Sequence, residues 1–223
     1  MTNFLLALFA FLAAHVVPRA TGFRDWGIEK FGRKIYMSAY SLVSLGLLAW
    51  LVTAMINAPY IGIWPTTPFT VAIAISLMFF SCILLATGAG RANSLSISFR
   101  GGQTDMDNPG ILALVRHPII YTFLLWSLAH VIVNGDVIGL VFFGGMLAFS
   151  IIGAKVAEKR TRNKLSEAEF AQLSQVNQGP LVERLKRALS ARFAIEVAIG
   201  ILLFFVLLVG HEHIIGVSPL AYF

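Results

Sequence analysis

Charge is scarce in this chain and missing altogether from long stretches of it. Only 13% of the residues are Asp, Glu, Lys or Arg, while 57% are hydrophobic and the mean hydropathy is +0.79. A soluble domain of 223 residues has no room to bury that much apolar surface, so a soluble globular protein is excluded. Cysteine is nearly absent too. Cys82 stands alone inside an apolar run, which rules out an intrachain disulfide and a cysteine-built zinc site and leaves it as a small core residue. No Lys or Arg precedes Arg19, so the apolar run from Phe4 to Ala14 lacks the basic start of a secretory signal. It reads as a retained first membrane helix. Internal repeats and low-complexity tracts are also missing.

What charge there is falls in a pattern. All 17 Lys and Arg residues lie in three groups separated by apolar runs that carry none. The first is Arg19, Arg24, Lys30, Arg33 and Lys34; the second is Arg91, Arg100 and Arg116; the third runs from Lys155 to Arg192. Positive charge held on the cytoplasmic side of a polytopic membrane protein produces this alternation. The net charge of +6 therefore points to headgroup anchoring and not to nucleic acid.

A hydrocarbon core of ~30 Å takes about 20 apolar residues per helix. Six segments meet or approach that length: Asn3–Val17, Met37–Ile56, Phe69–Gly88, Ile119–Val133, Val137–Ala154 and Phe193–Gly210. The expected fold is all-α, a bundle of about six transmembrane helices forming one integral membrane domain over residues 1–223, with both termini on the non-cytoplasmic side. The fourth segment is short, and lengthens if Gly110–Val115 continues its helix through a kink at Pro118. Trp64 and Tyr60 are expected as interface anchors, and Asn134-Gly135-Asp136 as the tight turn of a helical hairpin. Gly139, Gly144, Gly145 and Gly153 are expected to let the fifth helix approach its neighbours closely.

The stretch 155–192 is the only sizeable polar part. Ser166 with Glu169 three residues later predicts a capping box, and Gly179-Pro180 ends that helix. Leu181, Leu185, Ala188 and Leu189 then share one face beside Arg184, Lys186 and Arg187, the pattern of an interfacial amphipathic helix. Glu196 is the only acid inside the six segments, placed by this reading in a first turn within reach of the interface.

Polar groups near apolar spans carry weight, and here the notable ones are histidines: His15, His117, His130, His211 and His213. Neutral imidazole is a common metal and haem ligand. His117 and His130 are thirteen residues apart on one predicted helix, or ~20 Å at 1.5 Å per residue. Depth alone pairs His15 with His117 and His130 with His213.

Several blocks together resemble a known family. They are Arg116-His117-Pro118, Trp126-Ser127-Leu128-Ala129-His130, Asn134-Gly135-Asp136 and Phe143-Gly144-Gly145. To them are added His15, Arg24, Gly32, Tyr36, Ser41-Leu42, Pro59 and Trp64, with His213 and Gly216-Val217-Ser218-Pro219 at the end. The combination is similar to NnrU-domain membrane proteins across nearly the whole chain. The resemblance implies a bacterial inner-membrane, multi-pass protein linked to nitric oxide, nitrite and denitrification. The family also includes the 15-cis-zeta-carotene isomerase, a haem b enzyme. Its two haem histidines match His15 and His130, and where it carries a cysteine three residues before the second, this chain has Ser127. The resemblance thus implies haem b on His15 and His130 and an isomerase-like redox reaction on a lipophilic substrate. His117 remains the alternative ligand, and Arg116 and Arg24 are the candidate partners for the propionates.

Two other readings stand beside this one. Arg116-His117-Pro118 opening a membrane helix also resembles isoprenylcysteine-type methyltransferases, which use S-adenosylmethionine. Tyr121 fits that pattern, Thr122 and Phe123 stand where a glycine is expected, and Glu158 alone echoes the paired glutamates. The third reading is a non-enzymatic membrane assembly factor working with membrane partner proteins.

Overall fold

Long apolar sequences without internal helix breakers must satisfy their own backbone groups in a lipid environment, and the helix is the way a single segment does so. The computed structural model describes all residues, Met1–Phe223, and contains no strand. Nine α-helices form: α1 (Thr2–Ala20), α2 (Phe23–Phe31), α3 (Arg33–Ile56), α4 (Pro68–Ala89), α5 (Pro118–Val133), α6 (Val137–Arg162), α7 (Glu167–Ser174), α8 (Leu181–Ala188) and α9 (Ala191–Ile215). Five of them, α1, α3, α4, α6 and α9, are long and apolar enough to cross a membrane. α5 is apolar but only 16 residues long. The helices fall into two compact units, Met1–Ile61 and Gly62–Phe223.

In the first unit α1 and α3 pack against each other and α2 turns the chain between them. The sequence reading did not anticipate α2. Gly22 and Gly32 bracket it with φ of +76° and +82°, a backbone region that glycine enters without steric cost. Gly27 lies under the Tyr36 ring, where a Cβ would stand 2.6 Å from a ring carbon. At the opposite end the Trp50 indole donates to Asn3 Oδ1 at 3.1 Å, beside the buried Phe4, Ala7, Leu51 and Ala54.

In the second unit α4 packs on both α5 and α9, and α5 also packs on α6. Close approach comes from Gly200, not from the expected glycines of α6. A Cβ on Gly200 would lie 2.7 Å from the Ile83 Cα and 3.0 Å from the Cys82 carbonyl oxygen. Gly145 and Gly153 meet nothing within 4 Å, Gly144 meets only Leu140 of its own helix, and Gly139 is packed on its own turn. α4 starts on a capping box, with Thr67 as cap and Pro68 in the first turn.

The hairpin between α5 and α6 forms as the sequence indicates, with Asp136 capping α6 by accepting from Ile138 N and Gly139 N. Its other half lies far away in sequence. The Trp64 indole donates to the Ile132 carbonyl at 3.0 Å and the Thr66 hydroxyl to the Val133 carbonyl at 2.7 Å, satisfying two carbonyls left free by the end of α5. Gly135 O accepts from both Ile63 N and Trp64 N, and a Cβ on Gly135 would fall onto the Trp64 carbonyl.

Gly110–Val115 does not lengthen α5. Gly110–Ala113 forms a 3-10 turn, and His117 ends the interruption at φ −121°, ψ 58°. The ring of Pro118 clashes with an α-conformation at the residue before it, so the helix starts at Pro118. Residues 155–192 are more than a surface linker. α7 has the predicted capping box from Ser166 and Glu169. Arg184 of α8 points inward, donating to the carbonyls of Ala113 and Leu114, and Arg187 donates to those of Gln175 and Gln178. Beneath them Ile111, Leu112 and Val176 form a small apolar core with Phe193 packed against it. Leu181, Val182, Leu185 and Leu189 face outward.

Candidate functional site

The basic end of the second unit is built from the segment between α4 and α5, the C-terminal turns of α6, and the start of α9. Its loop is stitched by side chains. Ser94 and Thr104 exchange hydrogen bonds, each hydroxyl accepting from the other's backbone N–H at 2.9 and 3.0 Å. The Asn93 amide donates to the Arg116 carbonyl at 2.8 Å.

This loop delivers Ser96 to His117. The Ser96 hydroxyl lies 2.7 Å from His117 Nδ1, and Nε2 of the same ring lies 3.4 Å from a Glu158 carboxylate oxygen. The other Glu158 oxygen accepts from Arg116 at 2.6 Å, and Arg116 also donates to Asn177 Oδ1. His117 is buried, and burial pushes its imidazole below the usual histidine range; Glu158 pulls it back up and Arg116 adds to the lowering. Both ring nitrogens are thus occupied by protein groups. Arg116 is likewise engaged, with its guanidinium 5.8 Å from the Phe170 ring centre.

A second ion cluster lies beside this one. Arg91 donates through Nε to Glu196 at 2.8 Å, and the two side chains are 4% and 9% exposed. Arg192, one helical turn before Glu196, donates to its other oxygen at 2.9 Å. Glu196 is therefore held inside the protein by two guanidinium groups and does not reach out to the interface. The sequence shows Glu196 as the lone acid of its span. It does not show the partner, because Arg91 is 105 positions away and looks like any other basic residue at a helix end.

The two histidines singled out by resemblance sit differently. In the second unit His130 Nδ1 is 2.7 Å from the Trp126 carbonyl, one turn back on α5, and its ring stacks on Phe143 with centres 4.8 Å apart. In the first unit His15 Nδ1 is 2.7 Å from the Phe11 carbonyl, and its ring meets the edge of Tyr40. A carbonyl only accepts, so Nδ1 is the donor in both rings, and Nε2 has no protein partner. That is the arrangement of a metal-ligating histidine, whose other nitrogen is fixed by a carbonyl. His211 repeats it with the Val217 carbonyl. Ser127 is fully buried and donates to the Phe123 carbonyl at 2.6 Å. Arg24 is exposed and pairs with its neighbour Asp25 at 3.1 Å. No cluster of three or more His, Cys, Asp or Glu side chains is present.

Five long apolar helices define the class, a multi-pass membrane protein. The profile of the family described as NnrU protein matches residues 3–219, and the chain belongs to that family. Comparisons with curated proteins and with solved structures gave no match.

Proposed function

We propose that this NnrU-family protein binds haem b through His15 and His130 and uses it in nitrogen-oxide metabolism or in a carotenoid-isomerase-like redox reaction. The observation that carries this reading is the shared state of the two rings, each with Nδ1 tied to a carbonyl and Nε2 free. His117 offers no such nitrogen, which favours His15 and His130 over it; His211 is tethered in the same way, and there the family resemblance favours the same two. Bound haem would supply one-electron redox chemistry at its iron. The Phe11 and Trp126 carbonyls orient the two rings, and Trp126 and Phe143 give His130 an apolar setting, while His15 is exposed on α1. In this reading Arg24 and Arg116 would hold the propionates, which would require each to leave or share its present carboxylate partner, Asp25 and Glu158. The chain then spans the bacterial inner membrane six times, with both termini outside and the three basic groups inside. α5 is ~24 Å long at 1.5 Å per residue, and it crosses beside α4 and α6. A lipophilic substrate would enter from the bilayer.

The test is a reduced-minus-oxidised spectrum with pyridine haemochrome quantification of purified, detergent-solubilised protein. Wild type, His15→Ala, His117→Ala and His130→Ala are compared. Stoichiometric b-type haem lost in the His15 and His130 variants and kept in the His117 variant is the expected result. A colourless wild type after expression with ample haem supply refutes it.

A second reading has its own support. Arg116 and His117 both contact Glu158, the grouping that an isoprenylcysteine-type methyltransferase would use for S-adenosylmethionine. Calorimetric titration of the same protein with S-adenosylmethionine separates the two readings.

A further inference from the structure

A cavity of about 220 Å³ opens between the end of α4, the loop before α5, and the start of α9. Arg91, Arg100 and Arg192 line it together with Asp105, Asn108 and Gly90. We infer that this cavity binds a phosphate-bearing ligand, either a lipid headgroup or a free phosphate.

Three guanidinium groups meet here against two carboxylates. Glu196 is shared between Arg91 and Arg192, and Asp105 is turned to its own loop, accepting from Asp107 N and Asn108 N. The wall keeps an excess of positive charge. Arg91 is also short of an acceptor. Its Nε meets Glu196 and its Nη1 the Asn108 carbonyl, but its buried Nη2 has no partner, and neither has the buried Oδ1 of Asn108. An unpaired buried guanidinium N–H is costly, and the acceptor that best relieves it is an anionic oxygen. The fold is arranged to admit this side chain. Gly110, at φ +54°, lies against the guanidinium where any Cβ would collide with it. Arg100 and Arg192 are held less tightly at the rim, each by a hydrogen bond to the Gly90 carbonyl, with Arg192 also on Glu196. Their remaining N–H groups are free to turn into the cavity. Pockets for drug-sized ligands run to about 300–1,000 Å³, so this one suits a single phosphate with a small substituent and not a dinucleotide.

The experiment uses the full chain in two kinds of nanodisc, phosphatidylcholine alone and phosphatidylcholine doped with phosphatidylglycerol. Inorganic phosphate is titrated into the first. Thermal shift and retained lipid by native mass spectrometry are the readouts. Arg100→Gln tests the site, because Arg100 is exposed and its side chain donates only to the Gly90 carbonyl. Lys186→Gln removes the same charge outside the cavity. Retention of phosphatidylglycerol without a response to phosphate identifies the headgroup, and a phosphate response identifies the soluble anion. In either case Arg100→Gln is expected to weaken binding roughly tenfold, the loss of one charge-assisted hydrogen bond, while Lys186→Gln leaves it unchanged. No preference for either anion, or equal weakening by the two variants, overturns the proposal.

Discussion

Replacing Glu196 by alanine leaves the Arg91 guanidinium, 4% exposed, facing only the Asn108 carbonyl. Arg192 is 44% exposed and turns to water, so its share of the loss is small. Removing one member of a buried ion pair costs about 3–5 kcal/mol, chiefly from the charge left without compensation. For a chain of this size each kcal/mol lowers Tm by about 2–4 °C, so Glu196→Ala should melt roughly 6–20 °C below wild type. The assay is a tryptophan-fluorescence melt in detergent, checked by size exclusion. The double variant Arg91→Met with Glu196→Leu removes both charges and refills the volume, and it is expected to recover most of the loss. A Glu196→Ala protein melting within ~2 °C of wild type, or a double variant as unstable as the sum of the single changes, would refute the reasoning.

Two further outcomes are expected from the same melt. Gly200→Ala should cost about 1–3 kcal/mol, because the backbone of α4 must move to admit the methyl group, whereas Gly145→Ala meets open space and should gain about 0.5–1 kcal/mol; equal effects would contradict the packing. Burial holds His117 below the usual histidine range while Glu158, Arg116 and Ser96 face its ring. Between the unfolded and folded pKa the unfolded chain binds the extra proton, so stability falls as pH drops below about 6.5. His117→Gln should flatten that part of the Tm-against-pH curve, and an unchanged slope would show that another group titrates.

The helices were legible because lipid leaves a single segment few other ways to satisfy its backbone, and apolar length marks them. Local chemistry was legible as well. Ser166 with Glu169 and Asp136 before α6 act on groups within a few positions and cap their helices, whereas α7 stops at Ser174 and tightens into a 3-10 turn before Gly179-Pro180 is reached. Long-range polar pairs were not legible. Nothing in the sequence singles out Arg91 from other basic residues as the partner of Glu196, or Ser96 as the one placed against His117. The glycines misled for a related reason. Gly145 and Gly200 look alike in sequence, and only the position of Ile83 decides which one is crossed by another helix. Arg184 falls on the polar face of α8 in sequence, but a guanidinium on a long stem can equally well close two open carbonyls beneath it.

The carbonyl tether on His15 and His130 has a consequence for how either ring would meet a metal. A free imidazole exchanges its proton between two nitrogens and spins about its stem, so capture must first select one tautomer and one direction. Here that selection is complete before anything arrives. Coordination at Nε2 would then need no prior turn of the ring, and less conformational freedom would be lost when a metal group arrives.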